Sequence, residues 1–196
     1  MKTAKLFFIA GVIILVGVAF LFYKKYSNPP QKQPSITESK RLISNLSNNM
    51  KISSPAFENN GNIPAKYTCD GEGINPPLAI SDVPESAKSL ALIMDDPDAP
   101  IAGGFVHWVA FNLDPVTSEI KENSKPLGGI EGMNSSGKTG YTPPCPPSGI
   151  HHYQFKFYAL DAILDLTSSA KREDVEKAME GHILDKALVV GLYQRQ

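Results

Sequence analysis

The stretch MDDPDAPIAGGFVHWVAFNL, Met94 to Leu113, decides how the chain must fold. It opens with an acidic, proline-containing turn, passes a glycine pair and enters an apolar segment that holds the only tryptophan. Val106 to Leu113 favours a β-strand with both faces buried, because apolar residues fill both sets of alternate positions. A regular strand would place His107 on the side of Val109, opposite Trp108.

Two interpretations of this stretch stay open. Asp-Pro-Asp is ordinary turn chemistry, because Asp caps backbone N–H groups and Pro fixes φ, and a lone histidine in a core strand is commonly structural. A titratable imidazole at the mouth of a buried strand, beside the carboxylates of Asp96 and Asp98, is also typical of a functional site. The first interpretation needs nothing else from the chain, whereas the second needs partners from another segment.

A downstream segment, GYTPPCPPSGIHHYQFKFYALD from Gly140 to Asp161, supplies such partners. Its four closely spaced prolines predict a stiff rim with few backbone donors, and a strand follows. On that strand His151 and Tyr153 point to one face and His152 to the other, so the adjacent histidines cannot jointly bind one metal ion.

Composition indicates a globular domain: 42% of the 196 residues are hydrophobic and 20% are charged. The net charge of -1 gives no general attraction to nucleic acid, and no basic stripe with interleaved aromatics occurs. We therefore expect no nucleic-acid partner.

The N-terminal part reads as a membrane anchor followed by a linker. Residues 6–23 carry no charge, and eighteen helical residues span roughly 27 Å, close to the thickness of a bilayer core. A signal peptide cut after Ala19 is the alternative. We predict an anchor or signal peptide over residues 1–26, a Pro/Ser/Asn-rich linker over 27–50 and a folded domain over 51–196.

The orientation of that anchor has two opposing signals. More Lys and Arg residues follow the span than precede it, which favours a cytoplasmic domain. A short N-terminal tail before a large C-terminal domain is the layout of an export signal, and on that basis we expect a single-pass inner-membrane protein with its domain on the exported side.

Short apolar segments between turns predict a mainly β domain with a helix near its C-terminus. Strands are expected at Leu78–Ile80, Ser89–Met94 and Gln154–Leu160, and from Ile183 a strand, or a short helix and a strand. The one clear helix is Ala170–Glu180. It has Thr167, Ser168 and Ser169 as candidate caps and Gly181 as its stop.

Gly132 to Thr139 (GMNSSGKT) matches the phosphate-loop pattern GxxxxGK[ST]. That loop works only where a buried strand precedes it and a helix begins at its Lys-Thr. Here a poor strand precedes it and a proline-rich segment follows, which cannot be helical. The match is interpreted as a chance one, and no nucleotide triphosphate is expected as a partner.

Together these segments resemble the phosphatidylethanolamine-binding protein family, in particular its bacterial Raf-kinase-inhibitor-like branch. The resemblance covers about Lys51 to the C-terminus in the family's order. The segments that carry it are YTCDG at 67–71, PPL at 76–78, DPDAP at 96–100, His107-Trp108, GY…PCPPSG…H-x-Y at 140–153 and GHIL…VGLYQR at 181–195.

The resemblance implies a central antiparallel sheet packed against a smaller sheet, with short helices as cover. It also implies a small pocket for phosphoryl-like or carboxylate-like groups. The pocket residues it implies are Asp96, Pro100, His107, Pro147, His151 and Tyr153, with Asp98 and Trp108 nearby. Two departures bear on ligand preference: His152 stands where family members commonly have Arg, and the segment around Asn75 and Ile80 lacks the usual Ser and Trp.

Within that pocket we predict that Asp96 accepts a hydrogen bond from His107 or His151 and so orients the ring. The other ring nitrogen and the Tyr153 hydroxyl can then donate to an anion. The only two cysteines, Cys69 and Cys145, flank these motifs. A disulfide that braces the pocket rim and a pair of buried thiols are both open, because cytosolic relatives also carry both.

The leading hypothesis is a membrane-tethered, non-enzymatic binding protein with a regulatory or inhibitory role, without catalytic residues, metal or cofactor. A second is a metal-assisted or acid/base hydrolase that uses Asp96, Asp98, His107 and His151. A third is an envelope interaction domain whose pocket is vestigial. A protein partner or a homodimer is compatible with each.

Overall fold

The computed structural model describes residues 50–195. The predicted anchor and signal peptide lie outside these residues, as does the predicted linker except for Met50. Met50 is buried in the core, and its backbone N–H donates to the Asp185 carboxylate at 2.9 Å. Within residues 50–195, no helix is both long and apolar enough to cross a membrane.

The domain consists of nine strands, one α-helix and one 3₁₀ turn. In chain order these are β1 (Lys51–Ser53), β2 (Gly61–Asn62), the 3₁₀ turn (Ala65–Tyr67), β3 (Leu78–Ser81), β4 (Ser89–Asp96), β5 (Phe105–Leu113), β6 (Glu119–Ile120), β7 (Ile130–Glu131), β8 (His151–Leu160), α1 (Arg172–Met179) and β9 (Ile183–Tyr193).

The strands form two sheets. The larger has the order β2-β9-β8-β4-β5-β7 and is antiparallel except for the short β2–β9 pair, and the smaller has the order β1-β3-β6. This arrangement confirms the predicted mainly β fold with two sheets and a C-terminal helix.

Strand β4 shows how the sequence builds two cores. All eight of its residues are buried. Leu90, Leu92 and Met94 face the core shared with the smaller sheet, while Ala91 and Ile93 face the core under α1. Because successive side chains alternate between the faces of a strand, a continuous apolar run is needed where both faces are covered. The end of β4 is thereby fixed beneath the site.

Strand β5 contains a β-bulge that changes which side chains share a face. Between two paired positions, β4 advances by one residue, from Met94 to Asp95, while β5 advances by two, from Trp108 to Val106. His107 is the extra residue, and its ring lies 5.2 Å from a tyrosine ring of the larger core, to which Trp108 also belongs. The prediction that His107 lies opposite Trp108 is wrong, because a bulge interrupts the alternation of side chains.

Helix α1 is shorter than predicted and its cap lies elsewhere. Ala170 is buried, and its N–H donates to the carbonyl of Thr167 at 2.9 Å, so residues 167–170 form a turn. The helix begins at Arg172, where the backbone N–H of Lys171 donates to the Asp174 carboxylate at 3.0 Å. Gly181, at φ 78°, follows the helix as predicted, because this left-handed conformation favours glycine.

The phosphate-loop-like segment 132–139 is a closed turn. Met133 and Thr139 pair in an antiparallel bridge. Inside the turn the Asn134 side chain accepts from the backbone N–H groups of Ser136 and Lys138 at 3.0 and 3.2 Å. No helix begins within residues 132–150. The strand–loop–helix geometry that a phosphate loop requires is therefore not formed here.

Candidate ligand-binding site

A cavity of about 360 Å³ opens where β4 ends and where β5 and β8 begin. Asp96, His107, His151 and Tyr153 supply its polar side chains. One wall is the loop between β4 and β5, and the other is the proline-rich segment before β8. The wall residues are Ala99, Pro100, Ile101, Phe105, Thr142, Pro143, Cys145, Pro146 and Pro147.

Asp96 is buried and both of its carboxylate oxygens are engaged. Oδ1 accepts from the backbone N–H of Asp98 at 2.9 Å, and Oδ2 lies 2.7 Å from Nδ1 of His151. Because an ionised carboxylate only accepts, Nδ1 of His151 carries the proton of this bond and Nε2 is left for a ligand. Asp96 therefore orients His151, which is one of the two histidines that the sequence left open.

His107 is held by a backbone carbonyl instead. Its Nδ1 donates to the Thr142 carbonyl at 2.8 Å, which leaves Nε2 as the second nitrogen. Burial lowers the pKa of His107 below its ordinary value, although the bond to Thr142 and the charge of Asp96 act in the opposite direction. The ring is therefore mainly neutral at pH 7, and it can gain a proton when an anion arrives.

Tyr153 presents a fully buried hydroxyl that makes no hydrogen bond of ordinary geometry within residues 50–195, although the Asp96 carboxylate lies near it. Burial, together with the negative charge of Asp96, raises the pKa of Tyr153, so the hydroxyl keeps its proton at neutral pH. An unpaired buried hydroxyl is destabilising unless a ligand or water satisfies it.

Two predicted site residues support the pocket without lining it. Trp108 is 1% exposed, and its indole N–H donates to Glu131 at 3.2 Å, so it belongs to the core. Oδ2 of Asp98 accepts from both the backbone N–H and the ring of His152, at 2.8 and 2.7 Å, and this bonding lowers the pKa of Asp98. His152 is exposed and His151 buried, as expected for opposite faces of β8.

The proline-rich wall is joined to the 69–73 loop by a disulfide between Cys69 and Cys145, with 5.4 Å between the Cα atoms. The backbone N–H of Cys69 also donates to the carbonyl of Pro144 at 3.0 Å. Of the two alternatives open from the sequence, the structure contains the bonded pair. The bond ties one wall of the pocket to a distant part of the chain.

Sequence reasoning missed Thr142, Phe105 and Ile101. Thr142 acts through its carbonyl, which every residue has, so no side-chain signal marks it. Phe105 and Ile101 flank the glycine pair in the quoted stretch, and that position was the available signal. Within residues 50–195, no group of three or more His, Cys, Asp or Glu side chains is placed to hold a metal ion.

Fold and site together define a class: a mainly β domain of two sheets with a small buried pocket of His, Asp and Tyr side chains. A sequence profile of the phosphatidylethanolamine-binding proteins matches residues 53–194. The chain belongs to the phosphatidylethanolamine-binding protein family, which confirms the resemblance found in its sequence.

Relatives among prokaryotes support the assignment. A UPF0098 protein of Methanothermobacter thermautotrophicus is 52% identical over 151 residues, which are 74% of this chain and 99% of that protein. The UPF0098 protein PH1269 of Pyrococcus horikoshii is 51% identical over 156 residues, 75% of this chain and 77% of that protein.

Two solved structures share the fold. The crystal structure of CT736 from Chlamydia trachomatis, a phosphatidylethanolamine-binding protein homologue, is 44% identical with a TM-score of 0.73, over 76% of this chain and 100% of that one. Escherichia coli YbcL, described as a member of the mammalian family, is 26% identical with a TM-score of 0.71, over 75% of this chain and 99% of that one.

Proposed function

We propose that this chain is a non-enzymatic binding protein that recognises a small anionic group, phosphoryl or carboxylate, in the pocket. The Tyr153 hydroxyl can donate to the anion directly. Nε2 of His107 and Nε2 of His151 donate once each ring carries a second proton, because Nδ1 holds the proton of each neutral ring. The observation that carries the proposal is the buried, unpartnered hydroxyl of Tyr153 beside two imidazoles whose Nδ1 atoms are already engaged.

The charge of Asp96 opposes an anion, and two features reduce that repulsion. Both oxygens of Asp96 accept hydrogen bonds from N–H donors, which partly offset its negative charge. His107 can gain a proton as the anion binds. Each charge-assisted hydrogen bond contributes roughly 1.5–3 kcal/mol, so affinity in the micromolar to millimolar range is expected.

The size of the cavity favours a head group over a chain. About 360 Å³ is at the small end of the range for ligand pockets, and one wall is stiffened by prolines. A hydrolase would turn over phosphate or carboxylate esters, whereas a binding protein saturates without turnover.

The Tyr153→Phe variant tests the proposal. It is expected to keep or slightly raise the melting temperature, because it removes an unsatisfied hydroxyl, and to weaken phosphate binding about tenfold through the loss of one hydrogen bond. Phosphate affinity is measured by NMR titration of the imidazole protons, and stability by circular dichroism.

Tyr193→Phe is the matched control. The Tyr193 hydroxyl donates to Asp70 outside the cavity, so this variant should lose stability and keep its affinity. Equal affinities of Tyr153→Phe and wild type for phosphate would contradict the proposed contact.

The lowered pKa of His107 predicts that the stability of the fold depends on pH. The pKa of His107 is lower in the folded state than in the unfolded state. Between the folded-state pKa and about 6.5, the unfolded state therefore binds more protons than the folded state. The free energy of unfolding is therefore expected to fall as pH drops below about 6.5. His107→Gln should reduce that loss, and the exposed His182→Gln should not reduce it comparably. The measurement is urea unfolding between about pH 5 and pH 8.

Anion binding is expected to follow the opposite trend. An anion stabilises the protonated imidazole of His107, so its affinity should rise as pH falls through the same range. Sulfate is a suitable probe because its charge stays constant over that range. Sulfate affinity that is equal at about pH 5 and pH 8 in the wild-type chain would exclude His107 as the group that gains a proton.

We also propose that the apolar segment 6–23 tethers this domain to the inner membrane on its exported side, where it has a regulatory role. The length and lack of charge of that segment support the tether. Protease treatment of intact spheroplasts is expected to degrade the domain, and full protection would show that it faces the cytoplasm.

A further inference from the structure

The loop between β4 and β5, residues 97–104, forms one wall of the pocket through Ala99, Pro100 and Ile101. Two hydrogen bonds close it on itself, from Ile101 N–H to the Ala99 carbonyl at 2.7 Å and from Gly104 N–H to the Ile101 carbonyl at 3.1 Å. The position of the wall depends on what holds this loop to the rest of the domain.

One contact that holds the loop lies at the rim of the pocket, where the Asp98 carboxylate accepts hydrogen bonds from the backbone N–H and the ring of His152. Both side chains are about half exposed, at 40% and 52%, so water competes for this contact. The other end of the loop is held by a different contact. Nη1 of Arg172, the first residue of α1, donates to the carbonyl of Gly103 at 2.9 Å, and the Arg172 side chain is only 18% exposed.

The guanidinium of Arg172 is itself fixed on two sides. Nη1 lies 3.7 Å from the buried carboxylate of Asp95, which also binds Lys156 at 2.7 Å, and Nη2 binds Glu173 at 3.1 Å. Gly103 leaves room for it, because a Cβ there would lie 3.3 Å from Nη2. A planar donor held in this way can fix the position of a backbone carbonyl.

Asp95 and Asp96 are neighbours on β4 with separate tasks. Asp96 binds His151 in the pocket, and Asp95 lies near Arg172, whose guanidinium holds the far end of the loop. The C-terminal end of β4 therefore supports both the polar side chains of the pocket and the Arg172 contact that holds the pocket wall.

We propose that Arg172 is a positioning residue for ligand binding, which holds the pocket wall from outside the pocket through the carbonyl of Gly103. The inference rests on the proposed function of the pocket. Arg172 does not line the pocket, so it holds the wall without contacting the ligand. Its removal should loosen residues 97–104 while the three ligand contacts stay intact.

The test compares Arg172→Gln, Arg172→Lys and Glu173→Gln in the full chain. Arg172→Gln is expected to weaken sulfate binding about tenfold with an unchanged pH profile, and Arg172→Lys to recover part of that loss. Glu173→Gln removes another partner of the guanidinium but leaves the Gly103 bond, so its affinity should stay within about twofold of wild type. Equal losses in Arg172→Gln and Glu173→Gln, or no loss in Arg172→Gln, would overturn the inference.

Amide hydrogen exchange in the absence of anion separates this inference from the proposed function. Arg172→Gln should speed exchange of the Gly104 N–H at least tenfold and leave the Phe155 N–H in β8 unchanged. If neither sulfate, phosphate nor acetate binds the wild-type chain, the proposed function is rejected, and the exchange rates still decide whether Arg172 holds the loop. Unchanged exchange at Gly104 in Arg172→Gln would overturn it.

Discussion

Replacing Cys69 and Cys145 together by serine is expected to lower the free energy of unfolding by about 4 kcal/mol. The disulfide joins positions 76 residues apart, and a cross-link over a loop of that length removes much of the conformational entropy of the unfolded chain. The same change should weaken phosphate binding, because Cys145 lies in the proline-rich wall, and prolines leave that wall few backbone donors.

Urea unfolding with and without a dithiol reductant measures this effect. Reductant should destabilise the wild-type chain to the level of the double-serine variant and leave that variant unchanged. A wild-type unfolding midpoint that does not respond to reductant, with full reduction verified by thiol labelling, would contradict a stabilising role for the bond.

Asp96→Ala is expected to abolish measurable phosphate binding between about pH 5 and pH 8 and to destabilise the domain by about 3 kcal/mol. The substitution leaves two donors without an acceptor, the buried Nδ1 of His151 and the partly buried backbone N–H of Asp98. Each such loss costs about 1–3 kcal/mol. His151 also loses the partner that directs its Nε2 into the cavity.

Asp161→Ala is the matched control for that variant. Asp161 makes the same kind of pair with His182, at 2.8 Å, but both side chains are about half exposed. Water replaces such a contact, so its loss should cost less than about 1 kcal/mol and leave phosphate affinity unchanged. If Asp96→Ala bound phosphate as the wild type does across this pH range, Asp96 would have no part in the site.

The sequence predicts the fold where the pattern is strong. The buried runs that become β4 and β8 and the alternation in β8 are local properties, and the family's motifs extend them to a two-sheet domain. The bulge at His107 is different, because it depends on how β5 pairs with β4. No local feature of VHWVAF distinguishes a regular strand from a bulged one.

The features of the site also divide into those that the sequence predicts and those that only the tertiary structure shows. Asp96, His107, His151 and Tyr153 were predicted from their types and from the resemblance, and the structure brings all four to one cavity. Which histidine binds Asp96 could not be predicted, because the partner of the other is a backbone carbonyl. The support from Arg172 comes from an element about 70 residues away, and only the tertiary fold shows it.

Calorimetric titration of the full chain with phosphate, phosphoethanolamine and acetate tests the central claim most directly, with His107→Ala and the control His182→Ala beside the wild type. We expect saturable binding of at least one of these ligands to the wild type and to His182→Ala, and its loss in His107→Ala. No binding of any of the three to the wild type, or equal binding by His107→Ala, would contradict an anion-binding role for this pocket.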